Sequence, residues 1–370
     1  MKNKIEFLDL GFQPLANYYL KKNQIKYKQK KYKLIVCFNK FNNLVSIKKT
    51  FPSKSMFNDQ YPYRSSMSKT MRNSFKILSD KIKKKIKPKK ILEIGSNDGS
   101  FLRNFNKKST VGIEPCKNVE KITKRQKFNT IPEYWDLKLA KKIQIKYGSF
   151  DLIYSANTIT HIKNLDEVFK SINLVLSKNG VLIIEDPSLL ECLKRNTYDQ
   201  FYNEHIYVFS TIALKNILKK FDLEIFKIEN LSIHGGSNRY YIKKKNSSRK
   251  IEKTVKLNER KEINFGLNKI NTYFKFEKRI KKSKNELTSI FSKFKKNNKK
   301  IIGYGATAKS TTILNYCNID NTIIDYFFDT TEEKQNKYTP GSLIEIKKYP
   351  GYIPDDVNLV FLGAWNFKNE

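Results

Sequence analysis

Histidine is almost missing from this 370-residue chain, with three in all, and cysteine is scarce at four. Cys37, Cys116, Cys192 and Cys317 stand far apart with no CxxC pair, so their spacing indicates neither a disulfide framework nor a zinc knuckle. No stretch approaches the roughly 18 consecutive apolar residues of a membrane span. The opening Met1-Lys2-Asn3-Lys4, running into Phe7-Leu8-Asp9-Leu10, lacks the apolar core of a signal peptide. These absences lead to the expectation of a soluble, cytoplasmic protein with reduced thiols and no membrane partner. At about 150 residues per domain the length allows two to three domains.

Negative charge is also short: 35 Asp and Glu face 73 Lys and Arg, a net charge of +38. Such a balance raises the question of a nucleic-acid partner. Only nine of the basic residues are Arg, however, and 64 are Lys. Arg reads bases and clamps phosphates bidentately, whereas Lys supplies diffuse charge. The surplus is spread evenly along the chain beside abundant Asn and Ile. It is read as compositional, with no specific nucleic acid expected and with phosphates of a small metabolite as the anion of interest.

The first 75 residues read as irregular. From Ser74 to Lys87, Phe75, Leu78, Ile82 and Ile86 recur at helical spacing and Pro88 ends the run. Ile91-Leu92-Glu93-Ile94 is then a short buried strand, followed by Gly95-Ser96-Asn97-Asp98-Gly99 and a helix. Further strands are predicted at Thr110–Glu114, Phe150–Ser155 and Val181–Glu185, with a helix over Leu165–Leu176. Leu223–Ile228 and Arg239–Lys243 could close the sheet as an antiparallel pair. Alternation of strand and helix predicts an α/β, mostly parallel, doubly wound sheet. One long basic helix follows, with Ile263, Leu267, Ile270, Phe274, Leu287, Ile290 and Phe294 as its expected buried side. A second, smaller Rossmann-like unit starts at Lys300–Ala306 and continues through strands at Ile323–Asp329 and Val357–Gly363. The expected division is 1–75, 76–245, 246–298 and 299–370.

Two glycine turns carry chemistry. The first, Glu93-x-Gly95-x-x-x-Gly99, lacks the third glycine of a dinucleotide fingerprint. Glu93 and Asp98 make it acidic, which suits a cationic amino-acid ligand and repels a pyrophosphate. Glu114 ends the next strand, where an acid takes ribose hydroxyls. Together these point to S-adenosylmethionine, with contacts from Glu93, Gly95, Asn97, Gly99 and Glu114, and Asn157 beside the methionine end. The second turn, Gly303-Tyr304-Gly305-Ala306-Thr307-Ala308-Lys309-Ser310, is basic and opens a helix whose amides can receive phosphate. It lacks the spacing of a Walker loop. The three histidines, His161, His205 and His234, each sit among polar neighbours. His, Glu and Tyr together supply a base, an orienting group and a donor for an enolate oxygen.

Ile91–Gly99, Val111–Pro115, Tyr202-Asn203-Glu204-His205, His234–Arg239 and Gly303–Lys309 resemble, in that order, the nucleotide-sugar C-methyltransferases. Tyr61–Ser68 and Trp365-Asn366-Phe367 fit the same family. The resemblance implies a class I methyltransferase domain plus a second Rossmann-like unit. It also implies methylation at C3 of a nucleoside-diphosphate 4-keto-deoxysugar through a base-generated enolate. Family members open with cysteine pairs that hold a structural zinc. Here only Cys37 stands near the place and Lys40 falls where a partner would be, so no zinc and no other metal is expected. The family also continues past the Trp-Asn-Phe motif, which leads to the expectation of a truncated C-terminal unit.

On this reading His205 is the base and Glu204 orients it, with Tyr202 as the rival base. His161 and Tyr63 polarise the C4 oxygen or hold the sugar. The diphosphate faces Tyr304 and Lys309 with Arg239 as a second counter-charge, and His234, Ser237 and Asn315 complete the substrate set. Two alternatives carry different expectations: a methyltransferase of another substrate, RNA included, and an inactive member serving as a binding module. The sequence is silent on nucleotide, sugar stereochemistry and oligomeric state. If the charge is compositional, RNA retained by the purified chain in a filter-binding assay will be lost between roughly 50 and 200 mM salt.

Overall fold

The computed structural model describes residues 3–368; Met1, Lys2, Asn369 and Glu370, which belong to the terminal segments read above, lie outside it. Three sheets organise it. The largest has seven strands in the order Leu223–Leu231, Ser237–Lys244, Leu176–Pro187, Phe150–Ala156, Ile91–Ile94, Thr110–Ile113, Thr130–Ile131. All run parallel except Ser237–Lys244, which pairs antiparallel to both neighbours. Chain order reverses between Ile91–Ile94 and Phe150–Ala156, and a crevice opens beyond the carboxyl ends of strands at such a reversal. Order and polarity together make this the class I methyltransferase sheet.

Local sequence explains the flanking elements. Helix Lys69–Lys85 starts earlier than its periodicity suggests because the Ser68 side chain caps it, accepting from Met71 N. Met71, Phe75, Leu78 and Ile82 then face the sheet. Helix Leu165–Val175 is capped by Asn164 and buries Leu165, Val168, Phe169, Ile172 and Val175, while Leu174 turns outward.

The N-terminal region departs from expectation. Lys4–Gln13, Tyr32–Asn39 and Val45–Ile47 form an antiparallel sheet whose fourth strand is Tyr207–Val208. Register shifts between Glu6 and Leu8 and between Asp9 and Phe12 break the alternation that would have revealed the first strand. The fourth strand pairs with Val45–Ile47 through Val45 and Val208 and through Ser46 and Tyr207, a separation beyond any local signal. Cys37 is buried in this sheet opposite Glu6 and Ser46.

The connector also differs from its sequence reading. It is two helices, Lys253–Phe265 and Ile270–Lys296, broken at Gly266, whose φ of +90° only glycine adopts freely. The second helix buries Tyr273, Phe276, Ile280 and Phe291, whereas Ile263, Phe274 and Ile290 face outward. Tyr273 packs 4.9 Å from Phe7 and 4.6 Å from Phe38, so this helix backs the N-terminal sheet. Phe291 at its far end enters the core of the last sheet. That sheet has the order Lys337–Tyr338, Glu345–Lys348, Phe327–Asp329, Ile301–Tyr304, Leu359–Leu362, parallel except for the first pair.

Glu262 shows how the connector is fixed. Its buried carboxylate accepts from Thr211 N at 2.8 Å and Ile212 N at 3.0 Å, satisfying the start of helix Thr211–Leu218. Glu262→Ala would strand two buried donors and should cost about 1–3 kcal/mol. Denaturant melts will show that loss, with cofactor-product affinity unchanged in calorimetry.

Candidate active site

The strand Ile91–Ile94 delivers Gly95 and Asn97 into the crevice in left-handed conformations, φ +76° and +47°. A Cβ at Gly95 would overlap the Thr158 side chain, so glycine is required there for space as well as for backbone. Glu114 is clamped by the turn: Asn97 N donates to Oε2 and Cys116 N to Oε1, both at 2.9 Å. Each oxygen keeps a lone pair for a diol. Glu93 is buried beside it with Oε2 unpartnered. Burial, with the Asp98 and Glu114 charges, pushes the Glu93 carboxyl well above its ordinary value. A cationic amino group arriving there would supply the missing countercharge, so these residues fit S-adenosylmethionine.

Asp98 turns away and sews down the strap Tyr61–Ser68. It accepts from Ser65 Oγ, Ser66 N and Ser100 Oγ, while Asn97 Oδ1 accepts from Ser65 N. The strap's Arg64 pairs with Glu333 of the last sheet's unit. Strap, cofactor turn and C-terminal turn thereby enclose one cavity of about 940 Å³.

Tyr202 and His205 meet in its wall. Their turn closes on itself through His205 N to Tyr202 O, 3.0 Å. His205 Nδ1 lies 2.8 Å from the Gln200 carbonyl, which can only accept, so Nδ1 carries the proton. Nε2, 2.7 Å from the Tyr202 hydroxyl, therefore accepts from it. Burial, reinforced by His161 and Lys309, holds His205 well below its ordinary value and neutral. His161 stacks between Phe57 and His205 at 5.4 and 5.1 Å, its Nε2 buried without a partner and its acidity shifted by burial to about 3. His234, at φ +54°, approaches Asn157 at 3.4 Å and is likewise lowered to about 3 by burial and by Lys309.

The second glycine turn closes the opposite wall. Gly305 sits where a Cβ would strike Ala364. Thr307 caps helix Ala308–Cys317 with Ser310 in a reciprocal box. Lys309 is only partly buried as a residue, yet its ammonium is withdrawn from solvent and has no hydrogen-bond partner. It lies 5.5 Å from the Trp365 ring, whose Nε1 donates to Asp199 at 2.6 Å.

The cavity thus gathers Glu93, Gly95, Asn97, Glu114 and Asn157 with Tyr63, His161, Tyr202, His205, His234, Tyr304 and Lys309. Five sequence-predicted residues are placed elsewhere. Gly99 lies one turn deeper, against Thr123. Arg239 is locked in the sheet by Glu185 at 2.7 Å and Glu229 at 3.0 Å, leaving no fork for phosphate. Ser237 donates to the Ile233 carbonyl, and the Asn315 amide to Thr311 O and Pro340 O. Glu204 does not reach His205; its oxygens accept from Asn17 and Tyr61 on the far side of the turn. Gln200 was missed because it acts through its backbone, which no residue type signals. Among the described residues no cluster of three metal-ligating side chains occurs, and no helix is long and apolar enough to cross a membrane.

Residues 63–228 match the family model of a methyltransferase domain, and residues 232–370 that of a C-methyltransferase C-terminal domain. The chain is 26% identical over 285 residues to C-methyltransferase NovU of Streptomyces niveus, covering 76% of this chain and 67% of that protein. Among solved structures, a methyltransferase from Thermotoga maritima aligns at 21% identity and TM-score 0.37 over 46% of this chain and 90% of its own. The plantazolicin methyltransferase BpumL, in complex with SAH, aligns at 14% and 0.37 over 46% and 83%. The strand order carries the fold independently of these two.

Glu204 offers a clean pH test. Burial raises its carboxyl from 4.5 to about 7. Between those values the folded chain holds a proton that the unfolded chain has released, so this group's contribution to stability falls as pH rises through that window. Glu204→Gln should remove that decline, a difference of up to about 3 kcal/mol between the two pH–stability curves.

Proposed function

We propose that this chain, an S-adenosylmethionine-dependent C-methyltransferase, acts on C3 of a nucleoside-diphosphate 4-keto-deoxysugar by way of an enolate. The observation that carries the reading is the Tyr202–His205 pair, a neutral base with its hydrogen-bond donor, set in one cavity with an acidic cofactor turn and a lone buried ammonium. When bound, the cofactor supplies a methyl made electrophilic by its sulfonium, which only a carbon nucleophile generated in the site can take.

A ketone at C4 acidifies the C3 hydrogen. Once the substrate's carbonyl draws the Tyr202 hydroxyl off Nε2 and frees its one lone pair, the C3–H bond breaks, its proton ends on His205 Nε2, and its electron pair moves into the C3–C4 bond as charge collects on the C4 oxygen. The Tyr202 hydroxyl, turned away from Nε2, donates to that oxygen as the charge develops. The Gln200 carbonyl holds Nδ1–H throughout, so the imidazole cannot change tautomer. His161 stacks on the base and excludes water from its face. Lys309 takes the diphosphate, as a buried ammonium without a hydrogen-bond partner beside a helix N-terminus is suited to do. Glu114 holds the ribose and Glu93 the ammonium of the cofactor. The four cysteines are free and buried, which supports a cytoplasmic location.

The test combines two readouts. Incubation with cofactor and a panel of nucleoside-diphosphate 4-keto-deoxysugars should yield a product heavier by one methylene. Without cofactor, the C3 hydrogen should exchange with deuterated water. His205→Ala should lower turnover at least ~10²-fold with substrate affinity within a few-fold of wild type, and abolish exchange. Exchange that persists in His205→Ala and vanishes in Tyr202→Phe would transfer the base to the tyrosine.

A further inference from the structure

Lys309 and His205 occupy one cavity and are joined by a short physical path. The Lys309 ammonium lies 5.5 Å from the Trp365 ring; Trp365 Nε1 donates to Asp199; and the next residue, Gln200, holds His205 Nδ1 through its carbonyl. A Cβ at Gly235, beside His234, would run into the Trp365 ring, so the same indole also abuts the third histidine's turn. The ammonium has no hydrogen-bond partner, and no carboxylate lies within ion-pair distance of it among the described residues. A buried cation left in this state acts at range on every titratable group that shares its low-dielectric surroundings.

We propose that the diphosphate of the substrate, by neutralising Lys309, primes His205 for proton abstraction, so that the nucleotide serves as an activator of the chemical step as well as an anchor. This rests on the nucleotide-sugar reading above. His205 is hydrogen-bonded to Tyr202 on its own turn, stacks on His161, and feels the charges of Lys309 and His234; the groups acting on Lys309 are Asp199 and Cys192. Of the former, Lys309 is the cation, and its charge pushes both His205 and His234 down. An anion seated on it cancels that pressure and strengthens the base just when a substrate is present. A base too weak for its task gains rate as its proton affinity approaches the working pH. Binding energy at the remote diphosphate is thereby converted into turnover.

With only three histidines, imidazole NMR of the full chain reads the proposal directly, single-histidine substitutions giving the assignment. The probes are uridine and thymidine diphosphate, without sugar. In the wild type, nucleotide should move the His205 protonation midpoint upward. In Lys309→Met that midpoint should already be raised without nucleotide and should not move on addition. Lys309→Arg keeps the charge and should behave as wild type, and unchanged affinity for S-adenosylhomocysteine will show that the variants fold. In parallel, either nucleotide should accelerate C3 exchange of a free 4-keto-deoxysugar about tenfold in the wild type and not in Lys309→Met. Nucleotide that binds in calorimetry without moving His205 would overturn the coupling and leave the diphosphate site standing. Failure of either nucleotide to bind would remove both. Absence of exchange with an intact nucleotide sugar would instead sink the enolate reading, while the NMR arm would still decide whether Lys309 and His205 communicate.

Discussion

The bond between His205 Nδ1 and the Gln200 carbonyl is the constraint on which the rest of the site depends. A carbonyl cannot donate, so this contact decides the tautomer and leaves Nε2 with a lone pair for Tyr202. It also needs residues 198–206 to hold one shape. That shape is supported from three directions: Ala16 and Asn17 bond to Asn203 and Glu204, Ile47 N pairs with the Ile206 carbonyl, and Trp365 pins Asp199. The N-terminal sheet and the C-terminal unit therefore act as two jaws on one turn. Neither contributes a residue to the Tyr202–His205 pair, yet both hold its turn in place.

What the sequence disclosed follows the range of each interaction. Ile91–Ile94 and its glycine turn were legible because a short apolar run and a left-handed turn are local facts. Six of the seven strands of the large sheet followed from apolar runs that alternate with helices, whereas the edge strand Thr130–Ile131 is too short to leave a pattern. The site was half legible: residue types told which chemistry was available, and the cavity gathers all three histidines, Tyr202 and Lys309. Arg239 misled for a nonlocal reason. Strand register places it opposite Glu185 on one side and Glu229 on the other, so its guanidinium is consumed inside the sheet. Glu204 misled because consecutive side chains of a tight turn diverge, sending it toward Asn17 while His205 faces the cavity. The N-terminal sheet was invisible because two bulges and a remote fourth strand erase the local alternation.

Charge is distributed on two scales. Most lysines lie on the surface, where ion pairs such as Lys76–Asp80 or Lys282–Glu286 are solvated and contribute little. The interior is sparing. Lys243 is buried against Glu224 at 3.1 Å, and Arg239 against two carboxylates. Lys309 breaks that pattern, and it does so facing the cavity. The large net charge and the unpartnered ammonium in the cavity wall are thus separate matters, the first spread over the outside and the second set by the burial of Lys309.

The fourth strand of the N-terminal sheet has a temporal consequence. Tyr207–Val208 pairs with Val45–Ile47, so the edge formed by the first strands stays open until residue 208 has left the ribosome. At about 5–20 residues per second, the roughly 160 residues between them take on the order of ten seconds or more to emerge. Throughout that interval the chain's first-made strands present an unpaired edge, while the central strands of the methyltransferase sheet, made later, can already pair with one another. Folding in the cell thus runs out of step with chain order, with the oldest segment completed by a strand that arrives only after most of the cofactor half exists.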